Sequence, residues 1–164
     1  MSETAWVAPT IRTALPADLG ELRRVYRNAS LSNAGDAPHL LAHPEHLVFK
    51  GDGIADGLTR LAESGPGVAG TVLGFATVVP DRDGGVELDD LFVDPEFQRR
   101  GVAGALIADA VEAAKAAGYR RLSVIANPHA SAFYEAVGFV AGDLVTTQLG
   151  AGTRMHRELA ADET

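Results

Sequence analysis

Hydrophobic residues recur at helical spacing in two stretches of the chain. The first stretch begins near Pro16, a residue suited to the first turn of a helix. Its apolar positions are Leu19, Leu22, Val25, Tyr26 and Ala29. The second stretch runs from the turn at Gln98 to Gly118, which fits the position that ends a helix. Its predicted buried positions are Val102, Leu106, Ile107, Ala110, Val111 and Ala114. The pattern therefore predicts two amphipathic helices, the second of them long.

Shorter apolar runs predict strands, and turn-forming residues separate them. The predicted strands are 10–14, a hairpin of 68–69 with 72–79, then 86–93, 121–126, a strand opening at Phe139, and 153–159. A short helix is predicted over residues 129–137. This order predicts a mixed α/β (α+β) fold, with a mostly antiparallel sheet of six to seven strands flanked by about four helices.

In the predicted strand over residues 86–93, the alternation of apolar and polar residues changes register part of the way along. Val86 and Leu88 share one parity, whereas Leu91 and Val93 share the other. A β-bulge near Asp89-Asp90 would bring both pairs to one face, and bulges are common beside active sites. The alternative is a strand that is buried on both faces, which requires no alternation.

Residues 30–67 are irregular, because prolines and glycines interrupt short apolar groups. Within them, the spacing from Ile54 to Ala62 favours a helix. Three histidines are close in sequence: His39, His43 and His46. Pro44 prevents one continuous helix from presenting all three, and no fourth metal ligand is evident. We therefore expect a solvated loop without a metal.

Length, charge and cysteine content narrow the class of protein. The 164 residues fit one domain over 1–164, with frayed tails at 1–9 and 160–164. No secretory leader and no membrane-spanning run is visible, so no membrane partner is expected. The absence of cysteine makes a cytoplasmic location the default. The formal charge of −8 argues against a nucleic-acid partner and favours a cationic small molecule.

The turn before the long helix has the composition of an anion-binding site. It combines two arginines with residues of little bulk: Gln98, Arg99, Arg100, Gly101, Ala103 and Gly104. Small residues let a ligand lie against backbone N–H groups at the positive end of a helix dipole. A nucleotide-hydrolysing P-loop is disfavoured, because Ala105 and Leu106 stand where Lys and Ser or Thr are required. A dinucleotide fingerprint fits poorly in spacing and lacks its acidic residue. The natural ligand is a pyrophosphate.

The same residues match the Gln/Arg-x-x-Gly-x-Gly/Ala signature of the GNAT superfamily of N-acetyltransferases. The predicted order of elements from Thr10 to Leu159 also resembles that fold. The resemblance implies a single GNAT acetyltransferase domain that uses acetyl-CoA as its co-substrate, without a metal. It implies that the backbone of Leu91 and Val93 pairs with the pantetheine amides as an added strand would. Either Arg99 or Arg100 could add a side-chain bond to the phosphates.

A second stretch, Asn127 to Phe139, resembles the family motif in which an Asn ends a strand and a Tyr follows on a helix. The resemblance implies that Asn127 bonds the pantetheine arm. It also implies that Tyr134 presents its hydroxyl to the coenzyme A sulfur, as a general acid or as a hydrogen-bond donor to the departing thiolate. Tyrosine is protonated at neutral pH and can donate. The alternative for Tyr134 is a core aromatic residue whose hydroxyl reaches the surface.

The base that deprotonates the amine is less well specified. Glu87 resembles the position at which some family members place a catalytic glutamate, and a carboxylate in a partly dry cleft could accept the proton. Asp89 and Asp90 compete with it, because a bulge would decide which of the three faces the cleft. Many family members use an ordered chain of water molecules and no single base.

The predicted function is therefore direct transfer of the acetyl group of acetyl-CoA to a primary amine, without a covalent enzyme intermediate. The acceptor stays open among a small amine or amino acid derivative, an aminoglycoside-like drug, a polyamine and a protein amino group. The alternative is a non-catalytic acyl-CoA-binding sensor or interaction module. A toxin acting on charged tRNA is disfavoured by the lack of a basic patch. Some family members pair through their last strands, so a homodimer is possible.

Overall fold

A computed structural model describes residues 8–64, 71–81, 83–147 and 150–159. Its strands are Thr10–Thr13 (β1), Thr59–Glu63 (β2), Val72–Pro80 (β3), Val86–Val93 (β4), Arg121–Ala126 (β5), Val140–Thr147 (β6) and Gly150–Glu158 (β7). Its α-helices are Leu19–Leu31 (α1), Ala37–Ala42 (α2), Val102–Ala116 (α3) and Ser131–Ala136 (α4). The seven strands form one sheet in the order β1-β2-β3-β4-β5-β7-β6. The predicted mixed α/β class and the mostly antiparallel sheet are confirmed.

The chain divides into two compact units. The first consists of Met1–Phe75 and Leu91–Leu106, and the second of Ala76–Asp90 and Ile107–Thr164. The prediction of a single domain stays a prediction. In the described ranges no helix is both long and apolar enough to cross a bilayer.

The first unit is built around an apolar cluster beneath α1. Its buried members are Ala14, Leu22, Val25, Phe49, Ile54, Leu61, Val72 and Phe75. The rings of Tyr26 and Phe92 meet edge to face, with centroids 4.7 Å apart, so the end of β4 packs against α1. The helical spacing that predicted α1 thus identified the face that carries Leu22 and Val25 into this core.

One predicted element in the first unit is wrong. The expected helix from Ile54 to Ala62 is instead a turn followed by β2, which pairs antiparallel with β1 from Thr10↔Glu63 to Thr13↔Arg60. The sheet ladder outweighs the short helical spacing, because helix propensity over nine residues is a weak preference that pairing with a neighbouring strand overrides. The strand predicted at residues 68–69 lies outside the described residues.

The second unit contains the other end of the sheet. β4 and β5 pair in parallel over three positions, from Val86↔Leu122 to Leu88↔Val124. β5 pairs antiparallel with β7 along its whole length, and β7 pairs with β6. β6 is the last strand in the sheet order, and Leu144 on it is 79% exposed.

The long helix α3 agrees closely with its prediction. All six positions expected to be buried are at most 7% exposed. Gly118 follows the helix at φ +87°, and its N–H donates to the carbonyl oxygen of Lys115, so it occupies the expected terminal position. The short helix predicted over 129–137 is also present, as the six residues of α4.

Candidate active site

In the first unit, the segment between β4 and α3 forms a tight loop that ends on a helix N-terminus. Asp94 caps a short 3-10 helix over Pro95–Phe97, its Oδ1 accepting the N–H of Glu96 at 3.1 Å. Arg99 then takes a left-handed conformation with φ +64°, and Gly101 takes one with φ +82°. Because a residue with a side chain adopts this conformation rarely, the loop holds Arg99 under local strain. Such strain is most often found at functional sites.

The surface above this loop is open. A Cβ atom added to Gly101 or Gly104 would meet no heavy atom within 4 Å, so the protein's own packing does not require glycine for space there. Gln98, Arg99 and Arg100 are exposed on the same loop. Arg100 lies over the Phe97 ring, with its guanidinium carbon 5.9 Å from the ring centroid. The loop therefore combines exposed positive charge with uncovered backbone at the start of the fifteen-residue helix α3.

A partly buried ion pair that the sequence did not reveal holds the start of the loop. Asp94 is 4% exposed, and its Oδ2 accepts a hydrogen bond of 2.5 Å from Nη1 of Arg24 on α1. Nη2 of Arg24 donates to the carbonyl oxygen of Val72 at 3.1 Å. The backbone N–H of Asp94 donates to the carbonyl oxygen of Leu73 at 2.8 Å. Arg24 therefore joins α1, β3 and the loop. Asp94 before Pro95 is a recognisable helix-capping pattern, but nothing in the sequence connects it to Arg24, seventy residues away.

The end of β4 packs closely against β3. A Cβ atom on Gly74 would lie 2.7 Å from the carbonyl oxygen of Phe92, and it would also crowd Val93 and Val102. Glycine is therefore required at this approach of two backbones. Leu91 and Val93, whose backbones were predicted to bind pantetheine, are both half-buried.

In the second unit, Asn127 and Tyr134 follow β5 as predicted. Oδ1 of Asn127 accepts the N–H of Ala130 at 3.0 Å and so shapes the turn into α4. The Tyr134 ring is 7% exposed and meets Phe133 and Phe139 edge to face, with centroids 5.2 and 5.4 Å away. Burial raises the pKa of Tyr134 to about 12, so its hydroxyl is protonated at neutral pH. The hydroxyl makes no hydrogen bond to a described residue, and its oxygen atom is not fully buried.

The three candidate bases on β4 lie in different surroundings, all within the second unit. Glu87 is half-buried and lines a cavity of about 470 Å³ together with Ser123 and Arg154. Asp89 is exposed. Asp90 is half-buried, and burial raises its pKa from 3.8 to about 6, an effect that a hydrogen bond from Thr77 opposes and the charge of Asp89 increases. The β-bulge that would decide their directions stays a prediction.

The three histidines of the first unit are closer together than the sequence indicated. Pro44 does interrupt the chain, because α2 ends at Ala42 and a 3-10 helix begins at Pro44. The resulting bend nevertheless brings the imidazole centroids of His39, His43 and His46 to within 4.8–6.1 Å of one another. Among the residues that the structure describes, no group of three or more His, Asp or Glu side chains is arranged to hold a metal ion.

The chain matches one family model, that of the acetyltransferase (GNAT) family, over residues 32–139. No curated protein is a match for it. It is similar to the solved structure of a GCN5-related N-acetyltransferase from Rhodopseudomonas palustris, with 26% identity and a TM-score of 0.70 over 96% of this chain and 100% of that one.

Two further similar structures contain coenzyme A. The PaiA N-acetyltransferase of Thermoplasma acidophilum has 19% identity and a TM-score of 0.67, covering 93% of this chain and 99% of that one. A GNAT family N-acetyltransferase of Escherichia coli has 21% identity and a TM-score of 0.66, covering 99% of this chain and 87% of that one. At these identities the likeness shows a shared fold.

Proposed function

Because the chain belongs to the acetyltransferase (GNAT) family, and is thus an acetyl-CoA-dependent N-acetyltransferase, we propose that it transfers the acetyl group directly to a primary amine of a small molecule. The observation that carries this proposal is the loop from Gln98 to Gly104. Its two left-handed residues, Arg99 and Gly101, shape an exposed positive turn at the N-terminus of α3. A pyrophosphate has the charge and the oxygen atoms that such a turn binds.

The proposed contacts with coenzyme A involve backbone and side-chain groups. Backbone N–H groups from Gln98 to Gly104 bind the pyrophosphate, and Arg99 or Arg100 adds a charged bond. Backbone groups of Leu91 and Val93 bind the pantetheine amides, which is supported by the end of the β4–β5 ladder at Leu88. The side-chain amide of Asn127 keeps its N–H groups for the same arm, since only its oxygen is used in the turn.

In the proposed reaction, the unprotonated amine attacks the thioester carbonyl carbon. A C–N bond forms, the carbon–sulfur bond breaks, the nitrogen gives one proton to a base, and the sulfur leaves as a thiolate that receives a proton to become coenzyme A thiol. Tyr134 is the proposed donor of that proton or of a stabilising hydrogen bond, supported by its protonated state at neutral pH and by its lack of a described hydrogen-bond partner. Glu87 is the proposed base, because it lines a cavity that an amine can enter.

The identity of the base is decided by the pH dependence of the reaction. If Glu87 takes the proton, Glu87→Gln lowers kcat by about 10²-fold or more and Asp90→Asn retains most of it. If Asp90 takes the proton, kcat/KM falls as the pH drops through about 6, and Asp90→Asn removes this limb of the profile. If both variants keep their rates and profiles, Asp89 or ordered water is the base.

The proposed function is tested by calorimetry of acetyl-CoA binding together with thiol release in a pool of amines. Binding with thiol release supports transfer. Tyr134→Phe is then expected to lower kcat while acetyl-CoA affinity is kept, with Tyr119→Phe as a matched control outside the proposed site. Binding without release leaves the acyl-CoA sensor as the alternative or means that the acceptor is absent from the pool, and no binding contradicts the assignment of residues 98–104.

A further inference from the structure

One face of the sheet in the second unit carries an aligned set of polar side chains. Glu87 on β4 pairs with Ser123 on β5, and Ser123 pairs with His156 on β7. Ile125 pairs with Arg154. Residues opposite one another, and residues two apart on a strand, point to the same side of a sheet. This face is accessible, because Ile125 is 37% exposed and Arg154 is also exposed.

The cavity of about 470 Å³ opens on this face. Its charged and hydroxyl-bearing lining residues are Asp81, Asp83, Glu87, Arg121, Ser123 and Arg154. The volume suits a small metabolite, since ligand cavities commonly measure about 300–1,000 Å³.

Some of these charges already have partners. Oδ1 of Asp81 accepts the backbone N–H groups of Asp83 and Gly85, at 2.8 and 3.0 Å, and so closes the turn between β3 and β4. Arg121 pairs with Glu158, with Nε and Oε1 3.2 Å apart. Asp81 therefore shapes the cavity wall, and Glu158 partly neutralises the charge of Arg121. Asp83 lies in the exposed turn, and its carboxylate makes no hydrogen bond or ion pair to a described residue.

Glu87 and Arg154 lie on the sheet face itself, on β4 and β7. Within the described segments, neither side chain makes a hydrogen bond or an ion pair. They carry opposite charges and line one cavity without neutralising each other. A carboxylate attracts a protonated amine, and a guanidinium fork binds a carboxylate through two parallel hydrogen bonds.

We propose that the acetyl acceptor is an amino acid or a close derivative with a free carboxylate, bound with its amino group at Glu87 and its carboxylate at Arg154. This inference rests on the proposed function and names the acceptor class of the same site. It replaces the cationic acceptor favoured by the net charge. A zwitterion has no net charge, so the body of the protein, with its charge of −8, does not repel it as it would an anionic substrate.

The experiment compares matched acceptors by thiol release from acetyl-CoA. Each set contains a free L-amino acid, its carboxamide and its decarboxylated amine, and the sets cover small, aromatic, acidic and basic side chains. For at least one set we expect kcat/KM for the free acid to exceed that for the carboxamide by about 10-fold or more, because a charged hydrogen-bonded contact is lost.

Arg154→Gln is expected to remove this preference. It lowers kcat/KM for the free acid by about 10- to 100-fold, leaves the decarboxylated amine within about 3-fold, and keeps the KM for acetyl-CoA. Arg154→Lys retains the charge without the fork, so it should recover part of the loss. Arg157→Gln is the matched control, because Arg157 lies on the same strand at opposite parity and its Nη1 donates to the carbonyl oxygen of Val137.

The possible failures are distinguishable. If carboxamides and decarboxylated amines react as well as the acids do, the acceptor class is wrong while acetyl transfer stands. If Arg154→Gln lowers kcat/KM equally for all three members of a set, Arg154 does not bind the carboxylate. If no member of any set releases thiol although the protein binds acetyl-CoA, the amino acid acceptor class is refuted, and acetyl transfer is judged separately by the wider pool of amines.

Discussion

Replacing Asp90 by asparagine should stabilise the protein at neutral pH. Burial raises the pKa of this carboxyl group from 3.8 to about 6, which means that the folded state disfavours its charged form. A rise of this size in the pKa corresponds to at most about 3 kcal/mol of unfolding free energy. Because Asp90 keeps some contact with solvent, we expect a gain of roughly 1–2 kcal/mol for Asp90→Asn at pH 7.5. The asparagine oxygen can still accept the hydrogen bond from Thr77.

The sign of the pH dependence follows from proton binding. Between pH 3.8 and about 6, the unfolded state loses its proton while the folded state keeps it, so the unfolding free energy of the natural protein falls as the pH rises. Below this window both states are protonated and the penalty is absent. Asparagine has no such penalty at any pH. The difference between variant and natural protein should therefore be small near pH 4 and reach its full size above pH 6.

The assay is urea unfolding of both proteins at several values between pH 4 and pH 8, with the slope on denaturant compared to confirm that the folded states are alike. Asp89→Asn is the control, because Asp89 is exposed and its removal should change stability by less than about 0.5 kcal/mol. A stability difference that does not vary with pH would refute the reasoning. So would a loss of stability in Asp90→Asn at pH 7.5.

Two further predictions concern the loop before α3. Arg24→Met leaves the Asp94 carboxylate buried without its partner, which should cost roughly 1–3 kcal/mol of stability because Arg24 is partly exposed. Arg24→Met should raise the KM for acetyl-CoA but not the KM for acetyl-pantetheine, which lacks the pyrophosphate. The control is Arg12→Met, which breaks the ion pair with Asp18 and should change neither KM. If Arg24→Met raises the KM of both thioesters equally, the proposed role of the loop is contradicted. Gly101→Ala strains a residue at φ +82° and should weaken acetyl-CoA binding about 5-fold or more, measured by calorimetry. The control is Gly118→Ala, which strains a residue at φ +87° and should lower the stability about as much as Gly101→Ala does, without changing the affinity for acetyl-CoA. Unchanged binding of acetyl-CoA by Gly101→Ala would count against the proposed pyrophosphate site.

The sequence predicted α3 and the loop before it well, for a physical reason. Fifteen helical residues contain four turns, so the positions that face the core repeat often enough to be recognised, and all six are buried. The strand β2 was mistaken for a helix because five residues offer too few repeats. Its conformation depends on pairing with β1, about fifty residues earlier in the chain.

In the candidate site, too, features formed by neighbouring residues could be predicted, whereas contacts between residues far apart in sequence could not. Gln98 to Gly104 could be proposed as a phosphate site from the sequence, because the residues that form a turn before a helix N-terminus are neighbours in the chain. The role of Arg24 could not be predicted, because only folding brings it to its partner Asp94, seventy residues away. The choice among Glu87, Asp89 and Asp90 likewise depends on which side chains β3, β5 and β7 place around them.

The exposed edge strand β6 has a consequence for handling the protein. Its outer backbone groups and the side chains of Val140 and Leu144, 61% and 79% exposed, offer a template on which a strand of another molecule could add. At neutral pH the charge of −8 opposes such contacts by mutual repulsion between copies. That protection fades as the pH approaches the isoelectric point near 5.0, where self-association and precipitation should set in first. Storage at low ionic strength and at a pH well above 5 should therefore preserve it best.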